Sequence, residues 1–317
     1  MFQVYPSRYK AKDSRHLLEG SDGHRSVYPF KWLSAYANGK RMPEKSWSMK
    51  IRLHKSKSEQ PKPTVSYSEV MSDDKSLLKW LDYIVSCVMK PPSGFWDFTA
   101  DLTFKDTAYT TELLGAHTDN TYFTDPARLQ LFHLLSHTDG DGGASLLVDG
   151  FRAAEFLRDE NNNHCEYLAS IPQPFHASGN EDTCIQPVTQ APVFSIHPEF
   201  QQLYQIRWNN YDRAPKKDWN LVQQTQWHAA ARHFNDIIQR PEMQYWTQLE
   251  PGTALIFDNW RMLHGRSAFT GKRRMCGGYI NNDDFVSKYR LLKFGRKGVM
   301  SRVGTFYEHL GHPSYYY

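Results

Sequence analysis

Two histidines and one aspartate form the most informative pattern in this chain of 317 residues. His117 and Asp119 are separated by one residue, and in an extended strand such residues point to the same side. They can therefore reach one metal ion together, while His264 can supply a third ligand from elsewhere in the fold. Two imidazoles and one carboxylate hold non-haem iron(II) and leave positions open for other ligands. The alternative for an isolated His-x-Asp is an ordinary hydrogen-bonded histidine.

Arg273 follows His264 within a cluster of three cationic residues at positions 272–274. A 2-oxo acid can fill two of the open positions on iron, and its far carboxylate then needs a cation. A guanidinium binds a carboxylate through two parallel hydrogen bonds, which makes Arg273 the candidate. The alternative is a solvated charge within the cluster. The upstream His-x-Asp favours the binding role.

Composition and charge narrow the class of protein. A hydrophobic content of 40% is enough for one large or two modest domains with a core, and no apolar run is long enough to cross a bilayer. The net charge of +4, with mixed signs, does not indicate nucleic-acid binding. Four cysteines without paired spacing are typical of reduced intracellular thiols. We expect a small-molecule substrate, no nucleic-acid or membrane partner, and a cytoplasmic location with a mitochondrial one as the alternative; a homodimer stays open.

Three helices are predicted from apolar residues at helical spacing. Ser72 or Asp73 can cap the first helix and Asp149 the second, because their side chains can accept hydrogen bonds from the first free backbone amides. The apolar positions are Leu77, Leu78, Trp80, Leu81 and Ile84 in the first helix, Phe151, Ala154 and Leu157 in the second, and Trp227, Ala230, Ala231, Phe234, Ile237 and Ile238 in the third.

Short strand-like runs outnumber these helices. They lie at residues 129–135, 144–148, 193–196, 203–208, 253–257 and 275–280. The first two flank an Asp- and Gly-rich stretch, which predicts a hairpin. Many short strands with a few covering helices favour a β-sandwich or jelly roll over a parallel α/β sheet. We divide the chain into an N-terminal segment with a linker, residues 1–56, and a strand-rich domain, residues 57–317.

A series of motifs runs collinearly from about residue 94 to residue 292. They include Gly94-Phe95-Trp96, Asp106-Thr107-Ala108-Tyr109-Thr110, Gly115-Ala116-His117-Thr118-Asp119, residues 142–151, Arg207-Trp208-Asn209-Asn210-Tyr211-Asp212-Arg213, Phe257-Asp258-Asn259-Trp260-Arg261 and Phe269-Thr270-Gly271. Together they resemble the carnitine-biosynthesis dioxygenases, which depend on iron(II) and 2-oxoglutarate. The match is closest to the members that hydroxylate N6,N6,N6-trimethyllysine.

The resemblance implies a double-stranded β-helix, a jelly-roll variant, covered by helices. By position it implies that His117, Asp119 and His264 bind Fe(2+). It also implies that Arg273 and Ser145 hold the distal carboxylate of 2-oxoglutarate. O2 would be the second co-substrate and L-ascorbate a further cofactor. The implied activity is conversion of trimethyllysine to 3-hydroxy-trimethyllysine, the first step of carnitine biosynthesis.

The resemblance also implies a substrate pocket. A trimethylammonium group cannot donate a hydrogen bond, so its site needs aromatic faces. Trp96, Tyr109 and Tyr279 match the positions of an aromatic cage, with core packing as the alternative for each. Asp106 would pair with the α-ammonium of trimethyllysine, and Asn209 would bind its carboxylate. The γ-butyrobetaine enzyme has an asparagine at the position of Asp106.

The chain departs from this family in two places. Only the trailing part of the N-terminal zinc-binding module is recognisable, so we expect residues 1–56 to be a remnant without structural zinc. Before Gly94 the family has a strand and a helix where this chain has only residues 85–93, and Pro92 replaces a fourth cage tyrosine. Two alternatives to trimethyllysine hydroxylation therefore stay open: γ-butyrobetaine hydroxylation and a truncated, inactive remnant of the enzyme.

Overall fold

The structure is a computed structural model that describes the following residues: 8–12, 15–19, 23, 25–29, 65–86, 96–99, 110–179, 181, 183–198, 201–300 and 303. The chain divides into two compact units, Met1–Lys45 and Ser46–Tyr317. The expected domain boundary at residues 56 and 57 lies outside the described residues, as does most of the shortened segment 85–93.

The first unit contains a three-stranded antiparallel sheet. Its strands are β1 (Arg8–Lys12), β2 (Arg15–Glu19) and β3 (Arg25–Pro29), in that order across the sheet. Each strand pairs with the next one along the chain, and short connections of this kind favour antiparallel neighbours.

Two four-stranded antiparallel sheets form the framework of the second unit. We call the first the triad sheet, because it contains His117 and His264 of the predicted metal-binding triad. It consists of β10 (Gln244–Thr247), β7 (Ser145–Asp149), β12 (Met262–Arg266) and β5 (Leu114–His117), in that order. We call the second the arginine sheet, because it contains Arg273. It consists of β11 (Ala254–Asp258), β6 (Leu129–Thr138), β13 (Lys272–Ile280) and β4 (Trp96–Thr99), in that order. Strands β8 (Phe194–Ile196) and β9 (Leu203–Ile206) form a separate pair.

The order of the strands confirms the predicted jelly-roll core. From β4 to β7, and again from β10 to β13, successive strands alternate between the two sheets. This winding of the chain between facing sheets is what a double-stranded β-helix requires. An apolar cluster drawn from both sheets packs as one group, and it includes Leu134, Leu147, Leu255, Phe257, Met262 and Met275.

Helices cover an outer face of each sheet. The arginine sheet packs on α2 (Asp74–Ser86) and α6 (Asn282–Met300), with the short α1 (Tyr67–Ser72) beside α2. The triad sheet packs on α3 (Gly150–Glu160), α4 (Asn162–Ser170) and α5 (Leu221–Ile238). A 3-10 turn, Pro241–Met243, precedes β10. None of the helices in the described ranges combines the length and apolar character that crossing a bilayer requires.

The three predicted helices are confirmed as α2, α3 and α5. Asp73 accepts a hydrogen bond from the Ser76 amide at 2.7 Å at the start of α2. Asp149 accepts from the amides of Phe151 and Arg152 at 3.1 and 3.3 Å at the start of α3. Both caps satisfy backbone donors that have no partner within the helix.

The predicted hairpin of residues 129–135 and 144–148 is wrong. Both strands exist, as β6 and β7, but β6 pairs with β11 and β13 while β7 pairs with β10 and β12. Asp139, Gly142 and Gly143 have φ angles of 59°, 84° and 70° and form a turn between the strands. The predicted turn is therefore present, but it carries the chain across to the other sheet because non-local strand pairing outweighs the local pattern.

Candidate metal centre and co-substrate site

Strands β5 and β12 bring the three predicted metal ligands together. His264 stands opposite His117 in their antiparallel pairing, and Asp119 follows the end of β5 by two residues. The ligand atoms of the three side chains all lie within 4.8 Å of one another. Asp119 Oδ1 is 3.2 Å from His117 Nε2 and 3.6 Å from His264 Nε2. Two imidazole nitrogens and one carboxylate oxygen at this spacing fit a single iron(II) ion.

Gly265 allows β12 and β5 to approach this closely. A Cβ atom at this position would lie 2.4 Å from the carbonyl oxygen of Leu114, far inside van der Waals contact. The pairing of the two strands is also irregular between His264 and Arg266. A glycine inside a strand often marks such a close approach of two backbones.

Neighbouring groups orient both imidazole rings. His117 Nδ1 lies 2.8 Å from the carbonyl oxygen of Gly115. Since a carbonyl can only accept, Nδ1 bears the proton and Nε2 presents its lone pair to a metal. The His264 ring packs against Phe132 and Phe257, with ring centroids 5.3 and 4.8 Å away. These contacts fix the rings before any metal binds.

Asp119 is held at its backbone and at one carboxylate oxygen. Asn259 accepts a hydrogen bond from the Asp119 amide at 2.8 Å and donates to the Asp119 carbonyl at 3.1 Å. The Oδ2 atom of Asp119 accepts hydrogen bonds from Gln130 Nε2 and from the Tyr279 hydroxyl, the latter at 2.7 Å. The other oxygen, Oδ1, faces the two histidines.

Electrostatic interactions keep two of these ligands in the protonation state that a metal needs. Burial opposes ionisation of Asp119, but its interactions with the His264 and His117 imidazoles and the hydrogen bond from the Tyr279 hydroxyl hold the pKa of Asp119 well below its usual range. Burial, reinforced by His117, lowers the pKa of His264 to about 3. For His117, burial disfavours protonation, yet Asp119 raises its pKa. Near neutral pH, Asp119 is ionised and His264 is neutral, as metal binding requires.

Arg273 has a buried guanidinium with no acidic partner in the described part of the chain. The residue is 4% exposed, and its Nε atom has no hydrogen-bond partner there. The guanidinium lies 5.5 Å from the Phe269 ring centroid. Gly143 runs alongside, so that a Cβ atom there would be 3.1 Å from Arg273 Nε. Burial and the charge of Arg266 lower the pKa of Arg273 to about 10, so it remains a cation at neutral pH.

A buried cation of this kind fits the carboxylate of a 2-oxo acid, because burying an unpaired charge is unfavourable. Ser145, its predicted partner in this role, is also buried and stands opposite Arg266 on β12. No hydrogen bond between Ser145 and Arg273 is found among the described residues. Their joint binding of one carboxylate therefore stays a prediction.

The predicted cage residues are described only in part. Tyr109 lies outside the described residues, as does Asp106, and for Trp96 only the backbone is described, opposite Gly277 in the pairing of β4 with β13. Tyr279 lies beside the three metal ligands, and its hydroxyl donates a hydrogen bond to Asp119 Oδ2. The substrate roles of these four residues stay predictions.

Asn209 is buried, and both ends of its amide are engaged within the chain. Its Nδ2 donates to Asp212 Oδ2 at 2.8 Å, and its Oδ1 accepts from the Tyr211 amide at 2.9 Å. Thr121 donates to the same Asp212 oxygen at 2.9 Å. The predicted role of Asn209 in substrate binding is therefore not tested, and its observed contacts shape the loop after β9.

Gln130 is a residue of the site that the sequence patterns above do not identify. A signal for it is nevertheless present. It is a polar residue inside the apolar run 129–135, where the period of two places it on the same face as Phe132. A polar side chain at an inward position of a buried strand indicates either a hydrogen-bond network or a function.

The comparisons with known proteins agree with this site. Residues 91–279 match the family model described as "Taurine catabolism dioxygenase TauD, TfdA family". A trimethyllysine dioxygenase from Neurospora crassa is 37% identical, with coverage of 95% of this chain and 76% of the relative. One from Meyerozyma guilliermondii is 40% identical, with coverage of 90% and 69%.

Two further relatives bear on compartment and substrate. A protein from Gallus gallus named "Trimethyllysine dioxygenase, mitochondrial" is 33% identical, with coverage of 91% of this chain and 75% of the relative. A gamma-butyrobetaine dioxygenase from a Pseudomonas species is 28% identical, with coverage of 89% and 79%. Sequence identity is therefore higher to these three trimethyllysine dioxygenases than to this gamma-butyrobetaine dioxygenase.

Proposed function

This chain belongs to the TauD/TfdA dioxygenase family and, within it, to the trimethyllysine dioxygenases, and we propose that it hydroxylates N6,N6,N6-trimethyllysine in carnitine biosynthesis. The product would be 3-hydroxy-trimethyllysine. The observation that supports the proposal most directly is the convergence of His117, Asp119 and His264 in a chain that also buries a cation, Arg273, without an acidic partner in its described part.

The residues of the chain would divide the work of the reaction. His117, Asp119 and His264 would hold Fe(2+), and Arg273 with Ser145 would bind the distal carboxylate of 2-oxoglutarate. When bound, iron and 2-oxoglutarate supply with O2 an oxidant for an unactivated carbon, and succinate and carbon dioxide are the by-products. Because such an oxidant is unselective, the position of the substrate decides which carbon is hydroxylated.

The substrate would be positioned by aromatic faces and by two polar groups. Trp96, Tyr109 and Tyr279 would surround the trimethylammonium group, each contributing about 0.5 to 2 kcal/mol by cation–π attraction. Asp106 would pair with the α-ammonium, and Asn209 would bind the α-carboxylate. The variant Asp106→Asn should then lose turnover of trimethyllysine, measured as kcat/KM, because the charge that recognises the ammonium is gone. Unchanged kinetics would contradict the assignment of Asp106.

The deciding assay supplies iron(II), 2-oxoglutarate, O2 and L-ascorbate, which we propose as the reductant that keeps iron in the ferrous state. Trimethyllysine and γ-butyrobetaine are offered separately, and mass spectrometry detects the addition of one oxygen atom. We expect oxygen on trimethyllysine only, and none in the control His264→Ala. Oxygen on γ-butyrobetaine alone would replace the proposed substrate. No product and no succinate would favour the inactive remnant.

Compartment and assembly are separate proposals. We propose a cytoplasmic enzyme, with the mitochondrion as the alternative, since five animal relatives are named mitochondrial and the two fungal ones are not. Subcellular fractionation would decide between them. A homodimer is the assembly to test, by light scattering of the purified chain.

A further inference from the structure

The two carboxylate oxygens of Asp119 have separate surroundings. Oδ1 lies 3.2 Å from His117 Nε2 and 3.6 Å from His264 Nε2, on the side where a metal would be shared. Oδ2 accepts two hydrogen bonds, one from Gln130 Nε2 and one from the Tyr279 hydroxyl at 2.7 Å. Both donors come from the arginine sheet, whereas the histidines come from the triad sheet.

Gln130 occupies this position although its burial is unfavourable. It is 1% exposed and stands directly opposite Tyr279 in the pairing of β6 with β13. Its Nε2 atom also lies 3.4 Å from the Tyr279 hydroxyl oxygen, while its Oε1 atom is buried without a hydrogen-bond partner among the described residues. A buried carbonyl oxygen without a partner is unfavourable, so an apolar residue would suit the stability of the strand better.

We infer that Gln130 is a positioning residue which, together with Tyr279, restricts Asp119 to binding iron through Oδ1 alone. This inference rests on the proposed iron(II) and 2-oxoglutarate chemistry. An ion with three protein ligands keeps open positions, two for the 2-oxo acid and one for O2. A carboxylate bound through both oxygens would take one of these positions. Because Gln130 and Tyr279 occupy the lone pairs of Oδ2, that position stays available.

The test uses iron(II) and 2-oxoglutarate under anaerobic conditions, without an amino-acid substrate. Chelation of iron(II) by a 2-oxo acid gives a visible charge-transfer absorption band, whose titration reports 2-oxoglutarate affinity at the metal. We expect Gln130→Leu to weaken this affinity by about 10- to 100-fold, as loss of a group that orients metal ligands typically does, and to alter the band. Tyr279→Phe, which removes only a hydroxyl, should weaken it less, and the double variant most.

Gln173 provides the matched control. It is likewise buried, its Oε1 atom has no partner among the described residues, and its Nε2 donates to the carbonyl oxygen of Pro174 rather than to a metal ligand. Gln173→Leu should leave the charge-transfer titration unchanged. An unchanged titration in Gln130→Leu, or an equal loss in Gln173→Leu, would overturn the inference. If Gln130→Leu does not fold, Tyr279→Phe decides, and an unaltered band there counts against the proposal.

Failure of the positioning role of Gln130 and failure of the proposed function give different results. Absence of trimethyllysine hydroxylation would reject the substrate, while the titration of Gln130→Leu against the wild type would still measure the effect of Gln130. Absence of any iron and 2-oxoglutarate complex in the wild-type chain would overturn both.

Discussion

At the scale of single residues, Arg273 separates co-substrate binding from metal binding. Replacing it by methionine removes the buried cation but none of the three metal ligands. Hydrogen bonds to a charged group contribute about 1.5 to 3 kcal/mol, so the KM for 2-oxoglutarate should rise about 10- to 100-fold. Arg273→Lys should give an intermediate KM, because an ammonium keeps the charge without the two parallel hydrogen bonds. Succinate formation at varied 2-oxoglutarate concentrations measures both.

Arg274 is the control for this prediction. It is the next residue of β13 and is exposed, whereas Arg273 is buried. Arg274→Met should leave the KM for 2-oxoglutarate near the wild-type value. A KM that rises equally in both variants would indicate a general effect of positive charge on this strand rather than a specific site.

Some residues of the site can be predicted from the sequence and others cannot, and the difference has physical reasons. The His-x-Asp spacing is recognisable because residues two apart in an extended segment project to one side, and Asp119 still reaches the site although it lies two residues beyond the end of β5. The lack of an acidic partner for Arg273 in the described part of the chain cannot be predicted in the same way, because it depends on residues far away in the sequence. Gln130 is missed for a related reason: its importance comes from Asp119 and Tyr279, which reach it from other segments.

At the scale of elements, the spacing of β5 and β12 sets the distance between His117 and His264. Gly265→Ala would place a Cβ atom 2.4 Å from the Leu114 carbonyl oxygen, so the two strands must separate. A misplacement of about 1 Å at a reacting centre can reduce the rate about 100-fold. We therefore expect Gly265→Ala to keep the circular dichroism spectrum of the fold but to lose iron(II) affinity and turnover.

Gly115 gives a control on the same pair of strands. A Cβ atom there meets nothing within 4 Å in the structure. Gly115→Ala should therefore bind iron(II) about as well as the wild type. If Gly265→Ala also keeps its iron affinity, the close approach of the two strands is not what sets the ligand geometry.

The end of α3 predicts a measurable dependence of stability on pH. Glu160 accepts hydrogen bonds from Arg240 and from His233, the latter at 2.9 Å, and these contacts lower its pKa to about 2. A carboxyl with a lowered pKa stabilises the fold above its ordinary pKa of 4.5 and loses that stabilisation as the pH falls towards 2. Glu160→Gln should therefore lower the free energy of unfolding at pH 7 and have less effect at pH 3.5.

Partial exposure limits the size of this effect to about 1 kcal/mol at pH 7. Urea unfolding at the two pH values measures it. Asp159→Asn is the matched control, because Asp159 is adjacent, has an exposed side chain and contacts Arg158 at 3.5 Å. If Glu160→Gln lowers the free energy of unfolding by the same amount at pH 3.5 as at pH 7, the carboxylate charge is not the source of the stabilisation.

The predictability of the elements follows the range of the interactions that form them. Helices α2, α3 and α5 are predictable because a cap and an apolar face are local patterns. The strand β12 is short and contains His264 and Arg266, and no alternation in five residues distinguishes it from a loop. The wrong hairpin has the same origin, since strand partners are chosen by pairing across the whole domain.

At the scale of the whole molecule, the jelly-roll core could be predicted as a class but not as a strand order. The count of short strands suggests a β-sandwich or jelly roll, and only the resemblance to the dioxygenases narrows it to a double-stranded β-helix. In both sheets, strands from β4 to β7 pair with strands from β10 to β13, and such pairing between distant parts of the chain is not encoded in local sequence. Any effect of the shortened segment 85–93 on substrate binding stays a prediction.

The same architecture makes ligand binding a property of the folded domain. His117 and His264 come from strands that are far apart in the chain, so the unfolded chain cannot hold the site, and a metal that binds only the native state stabilises it. At a free metal concentration 100 times Kd the gain is about 2.7 kcal/mol. With about 2 to 4 °C per kcal/mol for a domain of this size, manganese(II) should raise the Tm by several degrees.

Adding manganese(II) and 2-oxoglutarate separately and then together extends this measurement of Tm to the complete site. Manganese(II) is a redox-inert substitute for iron(II), and 2-oxoglutarate should raise the Tm further only when the metal is present, because the metal binds one end of it. His264→Ala should respond to neither ligand, whereas Arg273→Met should respond to manganese(II) and lose the increment from 2-oxoglutarate. Stabilisation of the wild type by 2-oxoglutarate without metal would contradict the proposed binding of 2-oxoglutarate to the metal, because the 2-oxo acid would then bind away from His117, Asp119 and His264.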